Sequence, residues 1–362
     1  MDRIYLARPM IGKEELEAIN AVFDTGFLTE GHVTQEFEQK VASFVGARHG
    51  IATTSCTTAM YLALFSLDLH EAEVIVSDFT HPATVDAVVL AGGKPVLVDV
   101  DLDSRNITEQ AIEEAIGERT KCILPVSLFG NPLDMDVYKT GKSHNIPMVE
   151  DAACSLGAIV DGKRVGSLAD ITCFSFHPRK IITTGEGGVI TTHREDVTQT
   201  CRSFKAFGTK DKAFSGIGTN LKFPDVLAAI GLVQMGRLGE LVRIRAEKTQ
   251  IYNELLYGSR HLRTPTERKG TCHTFQTYTI YFDKDGFRDR VMKALSEQNI
   301  ESQIASYAIH LQPAFSKLKR IGNLVNSKLL YERALALPLH HQLSQENIER
   351  VCNIVKDVAD HS

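Results

Sequence analysis

Seven short runs rich in β-branched residues recur through the first half of the chain, with helical segments between them. The runs are GIATT near residue 50, EVIVSD near 75, PVLVDV near 97, CILPVS near 124, PMVED near 149, ITCFSF near 173 and GVITT near 190. Strands that alternate with helices predict a mostly parallel sheet wrapped by helices. The connections fit: TTAMYLALFSL (57–67), PATVDAVVLAG (82–92) and TEQAIEEAIGE (108–118) carry apolar residues at helical spacing, and two of them end near glycine. This places a large domain at about 45–245.

Residues 225–256 then read as one long helical pattern that links the large domain to a smaller one. FQTYTIYF (275–282), RDRVMKALSEQ (288–298) and ENIERVCNIVKDVA (346–359) predict a strand, a helix and a terminal helix of a small α+β domain. The chain therefore divides into an N-terminal arm with the large domain (1–245) and a small C-terminal domain (246–362). The segment GKEELEAINAVF predicts an early helix that packs on the small domain or on a partner subunit.

Charge removes several functions. Lys plus Arg is 40 against 45 Asp plus Glu, a net −5 with no basic stripe, which argues against a nucleic-acid partner. No run reaches the roughly 18 apolar residues of a membrane span, and the start carries Asp2 and Arg3 where a signal peptide needs an apolar core, so a cytoplasmic protein is expected. Seven scattered cysteines without a C-x-x-C pair signal neither a disulfide framework nor a zinc site, and no histidine spacing suggests a metal centre.

In open α/β sheets ligands collect outside the carboxyl ends of the strands, so the residues that follow each run come first. GIATT is followed by Ser55, Cys56, Thr57 and Thr58 at a helix start, which is either an ordinary N-cap or an anion seat built from free N–H groups and the helix dipole. EVIVSD leads to Thr80, His81 and Pro82, where the histidine is a loop residue or a ring laid over a ligand. PMVED ends in Asp151, a helix cap or a buried acid that needs a cation or several donors. ITCFSF ends in Ser175 and leads to Lys180, a surface charge or a buried amine with chemistry. A phosphate seat, a ring cover, an acid for a ring nitrogen and an amine for an aldehyde together describe pyridoxal phosphate.

These segments resemble the DegT/DnrJ/StrS-type sugar aminotransferases, pyridoxal-phosphate enzymes of fold type I. The likeness runs nearly end to end and is most specific in SFHPRKIITTGEGG and VEDAACSLGA. It implies a three-layer large domain with a mostly parallel seven-stranded sheet, plus the small C-terminal α+β domain. It makes Lys180 the lysine that captures the cofactor aldehyde and moves the proton, and Asp151 the partner of the pyridinium nitrogen. Cys56, Thr57 and Ser175 would hold the cofactor phosphate, and His81 would stack on its ring. Asn220 would reach the phosphate of a neighbouring subunit, making a homodimer with shared sites. Thr29, Arg179, Lys222 and His310 are substrate candidates. The implied reaction moves nitrogen from L-glutamate to a keto group of a nucleotide-activated sugar.

Four positions depart from the family pattern. Cys154 stands near the cofactor hydroxyl where Gln or His is frequent, Cys56 where glycine is common, and His81 where Trp or Phe is usual. Ala305 replaces a histidine that some members carry, although His310 remains. Relatives that dehydrate sugars have histidine in place of the lysine, so Lys180 argues against that alternative, and a regulatory member that keeps the fold is the other.

Overall fold

The computed structural model describes residues 2–360. Seven strands form its centre: β1 (His49–Thr53), β2 (Glu73–Ser77), β3 (Lys94–Val98), β4 (Thr120–Leu124), β5 (Val149–Asp151), β6 (Ile171–Ser175) and β7 (Gly188–Thr192). One half of the sheet has the order β1-β7-β6-β5, and β4, β2 and β3 follow one another in the other half. Parallel bridges Ile123↔Met148 and Val126↔Asp151 join β4 to β5, so all seven strands make one sheet. Only β7 runs against the others, pairing antiparallel with both β1 and β6. The expected mostly parallel, seven-stranded sheet is therefore present.

Both faces of that sheet are covered, which is why its strands read as continuous apolar runs rather than as alternating ones. Ile51, Val74, Val76, Cys173 and Ile190 point into a core shared with the helix Cys56–Phe65. Their chain neighbours Ala52, Phe174 and Val189 point the other way, into a core with Phe37, Ala228 and Leu238. On that same side Ile75 and Ile123 pack with Val137 and Tyr138. Three layers result.

The helix Asp225–Leu256 carries the chain from one core to another. Its Ala228, Met235, Leu238 and Leu241 belong to the core around Phe37. Its Tyr252 and Leu256 belong to a separate core with Tyr278, Ile280, Leu335, Val351 and Val355. That second core lies against a four-stranded antiparallel sheet that includes Tyr278–Phe282 and Ala334–Leu337. Ile4 is also buried there and bridges Ile300, so the first residues of the chain complete the C-terminal core.

The helix His32–Val45 begins at Gly31, which has no side chain with which to cap it. Asp225 supplies the missing acceptor: its Oδ1 accepts from the N–H of Gly31 at 2.8 Å, from the N–H of Thr34 at 2.9 Å and from Thr34 Oγ1 at 2.7 Å. A buried carboxylate at a helix start satisfies orphan donors and complements the helix dipole. Asp225→Ala is expected to destabilise the fold by about 2 kcal/mol, as loss of a charged cap does. Asp225→Asn should recover part of that loss, and thermal unfolding of the two variants checks the pair; equal melting temperatures for wild type and Asp225→Ala would refute the capping role.

Candidate active site

The carboxyl ends of β1, β2, β5 and β6 lie at one end of the sheet, and the reversed β7 brings its first residue, Gly188, to the same end. A cavity of about 510 Å³ opens there. Cys56, Thr57, His81, Asp151, Cys154, Ser175, Arg179 and Lys180 all line it, so eight of the candidates converge on one space.

One wall is the start of the helix Cys56–Phe65. Ser55 caps it by accepting from the N–H of Thr58 at 3.2 Å, while Thr58 Oγ1 accepts from the N–H of Ser55 at 3.0 Å. Cys56 and Thr57 stand in the first turn, whose N–H groups have no partner within a helix. Burial pushes the Cys56 thiol well above its usual range, with Asp151 adding to the rise, so Cys56 offers its backbone and a neutral side chain. Gly188 is what lets β7 come so close. A Cβ at that position would lie 2.3 Å from the carbonyl oxygen of Ser55 and 2.7 Å from the nitrogen of Cys56.

Asp151 closes β5 and is 4% exposed. Its Oδ2 accepts from Thr84 Oγ1 at 2.7 Å and its Oδ1 accepts from the N–H of Ala153 at 3.1 Å. Thr84 in turn is bonded to Thr80 at 2.9 Å. Among the described residues no lysine, arginine or histidine nitrogen lies within 4.0 Å of the Asp151 carboxylate oxygens. A buried acid with two neutral donors and an open cavity in front is incomplete, and a protonated ring nitrogen is the kind of group that completes it.

Lys180 follows β6 through a turn in which its N–H donates to the carbonyl of His177 at 2.8 Å. Its Nζ donates to Cys154 Sγ at 3.2 Å. Burial pushes the ammonium down, but Cys154, Cys56 and Asp151 outweigh it and hold the amine above its usual range. His81 caps the helix Pro82–Leu90 through Nδ1, which accepts from the N–H of Ala83 at 3.2 Å. Its ring stands edge-on to Tyr307 at 6.1 Å, and burial lowers its pKa, so a neutral imidazole faces the cavity. The donor set thus fits pyridoxal phosphate: a helix start would hold the phosphate, an acid would meet the ring nitrogen, and a flat neutral ring and an amine line the same space.

Four candidates are not among the residues that line this cavity. His310 is 9% exposed and committed elsewhere: its Nδ1 meets Asp78 Oδ2 at 2.7 Å and its N–H donates to Asp78 Oδ1 at 2.9 Å. It ties the residues after β2 to the segment Tyr307–Ala308, which pairs with Phe79–Thr80. His310, expected among the substrate candidates, is thus hydrogen-bonded to Asp78 in a buried pair. Thr29, Asn220 and Lys222 sit together outside the cavity. The carbonyl of Thr29 accepts from the N–H of Asp225 at 3.3 Å, Asn220 Oδ1 accepts from the N–H of Lys222 at 3.3 Å, and Lys222 Nζ lies 4.7 Å from the ring centre of Phe207.

Thr84, Gln276 and Tyr307 are site residues that sequence reasoning missed. Thr84 was within reach, because it stands three residues after His81, on the first turn of the helix that starts at Pro82. Gln276 and Tyr307 arrive from distant segments and carry no local signal.

Beside Asp151, Glu150 is fully buried between Ser127 and Tyr138, whose hydroxyl donates to it at 3.0 Å. Burial raises its carboxyl from 4.5 to about 7, against the bonds from Ser127 and Tyr138, with Asp151 adding to the rise. A raised folded value means that the stabilising, protonated form is fully present below 4.5 and is lost as pH climbs through about 7. Glu150→Gln should therefore shrink the stability difference between pH 5 and pH 8 by about 2 to 3 kcal/mol. Urea unfolding at the two pH values measures it, and an unchanged difference would refute the buried acid.

Residues 9–356 match the DegT/DnrJ/EryC1/StrS aminotransferase family. GDP-perosamine synthase of Caulobacter vibrioides is 34% identical over 97% of this chain and 97% of its own length. The aminotransferase TlmJ from Streptoalloteichus hindustanus has a similar structure, with TM-score 0.94, 28% identity and 99% of each chain covered. The PLP form of the sugar aminotransferase Spr1654 from Streptococcus pneumoniae, described as putative in its name, superposes with TM-score 0.93 at 25% identity, covering 99% of each chain.

Proposed function

The chain belongs to the DegT/DnrJ/EryC1/StrS aminotransferase family, and we propose that it passes an amino group from L-glutamate to the keto group of a nucleotide-activated sugar. The observation that carries this reading is the convergence of Lys180, Asp151 and the helix start at Cys56 on one cavity. Pyridoxal phosphate, the cofactor expected for this family, supplies an aldehyde that takes up amines and a ring that accepts electrons.

Each side chain then has a task that its surroundings permit. The first-turn N–H groups of Cys56 and Thr57, with Ser175, hold the phosphate. Asp151, oriented by Thr84, keeps a proton on the ring nitrogen. His81, which lines the same cavity, would pack against the ring. Lys180 carries a proton to and from the substrate carbon, a role suited to an amine that sits inside the cavity rather than in bulk water. Arg179, exposed at the rim and bonded to Gln303 at 2.8 Å, would supply a cation for substrate phosphate.

Thr29, Asn220 and Lys222 act across a subunit boundary in this reading. The segments that carry them expose Phe27 at 71%, Phe214 at 79% and Ile217 at 92%, which favours burial against a second copy. GDP-perosamine synthase is named for a nucleotide-linked amino sugar, which supports a nucleotide-activated substrate here.

Incubation with glutamate and a panel of nucleotide ketosugars, followed by mass analysis, should reveal exchange of a ketone for an amine in at least one of them. Lys180→Ala should abolish turnover, and normal turnover by that variant would remove the lysine from the mechanism. For the shared site, Lys180→Ala and Asn220→Ala subunits, each defective alone, should regain roughly a quarter of wild-type activity after mixing and subunit exchange. No recovery in verified mixed dimers would place Asn220 in its own subunit's chemistry.

A further inference from the structure

Lys180 and Cys154 form a contact whose chemistry does not depend on any bound molecule. Nζ lies 3.2 Å from Sγ, and both residues line the cavity, so a molecule as small as hydrogen peroxide reaches them. Their backbones are held. The N–H of Lys180 donates to His177, the carbonyl of Arg179 accepts from Gln276 Nε2 at 2.9 Å, and the carbonyl of Cys154 accepts from Thr274 Oγ1 at 3.3 Å.

The other cysteines are poorer targets. Cys56, Cys122, Cys173, Cys201 and Cys352 are buried, and burial holds their thiols above the usual range. Cys272 is half-buried, but burial and Glu267 push its thiol up as well. Cys154 alone combines exposure to this cavity with an amine in contact.

We propose that Cys154 and Lys180 form a reversible, peroxide-driven sulfur–nitrogen link that locks the cavity. Peroxide transfers one oxygen to the Cys154 sulfur, giving sulfenic acid and water; the sulfur loses two electrons and the peroxide gains them. The Lys180 amine then attacks that sulfur. An N–S bond forms, the S–O bond breaks, and the hydroxyl leaves as water with a proton from the nitrogen. A dithiol reverses the link: one thiolate attacks the sulfur and frees the amine, and the second closes a disulfide and returns Cys154 to the thiol.

The bond needs only these two side chains, whereas its consequence, exclusion of the cofactor from Lys180, rests on the function proposed above. Full-length protein freed of pyridoxal phosphate, treated with hydrogen peroxide and digested without reductant, should yield the Cys154 and Lys180 peptides joined and two hydrogens lighter than their sum. Dithiothreitol should separate them. Cys154→Ser should give no joined species and Cys272→Ser should retain it. Oxidation of Cys154 to sulfinic or sulfonic acid with Lys180 unmodified, or the same link in Cys154→Ser, overturns the proposal, and neither readout depends on activity.

Discussion

The site depends on one close approach, that of β7 to the start of the helix Cys56–Phe65. A Cβ at 188 would fall 2.3 Å from the carbonyl of Ser55, a separation that real Cβ atoms do not show, so only glycine allows β7 to sit where it does. Because β7 is the one reversed strand, its N-terminus meets the carboxyl ends of β1, β5 and β6. The loop from β6 to β7 must then cross the helix start, and that loop contains Lys180. A single backbone contact thus brings a lysine of one crossover to a helix dipole of another, more than a hundred residues earlier in the chain.

Burial sets the chemistry of what gathers there. Asp151 and Glu150 are adjacent and both buried, yet they end differently. Glu150 points into a core, and burial drives its carboxyl toward the protonated form. Asp151 points toward the cavity with a hydroxyl and an N–H as its only donors among the described residues, so it is poised for a cation supplied from outside the chain. The alternation of side chains along a strand separates the two roles: one residue of the pair braces the strand end while its neighbour faces the ligand space.

Much of this was legible in the sequence because it is local. Seven β-branched runs marked the seven strands, and the residues just after them marked the cavity, since strand ends and helix starts are defined by their own neighbours. What failed to show was non-local. His310 read as a substrate candidate, and nothing near it in sequence reveals Asp78, a partner more than two hundred positions away. Asp225 carried no sign that it caps a helix that begins at 32. Ile4 gave no hint that it belongs to the C-terminal core. Thr84 was a different kind of omission, a local residue whose role appears only when the end of β5 is placed beside its helix.

The Lys180 turn is held from both cores, and this constrains how the site responds to change elsewhere. From one side Gln234 of the long helix accepts from the N–H of Thr183 at 3.3 Å, while its Nε2 donates to the carbonyl of Met10 at 2.6 Å and to Glu15 at 2.7 Å. From the other side Gln276 donates to the carbonyl of Arg179, and the carbonyl of Gln276 itself accepts from Arg245 at 2.9 Å. Arg245 is buried and bonds the carbonyls of Phe275 and Leu339 as well, so its guanidinium fixes the edge of the C-terminal core against the same turn. Both glutamines reach the turn through main-chain atoms, so the position of the backbone around Lys180 is set independently of which side chains the turn carries. Packing around Tyr252 and Tyr278 is therefore coupled through Arg245 and Gln276 to the placement of the amine, although neither tyrosine lines the cavity.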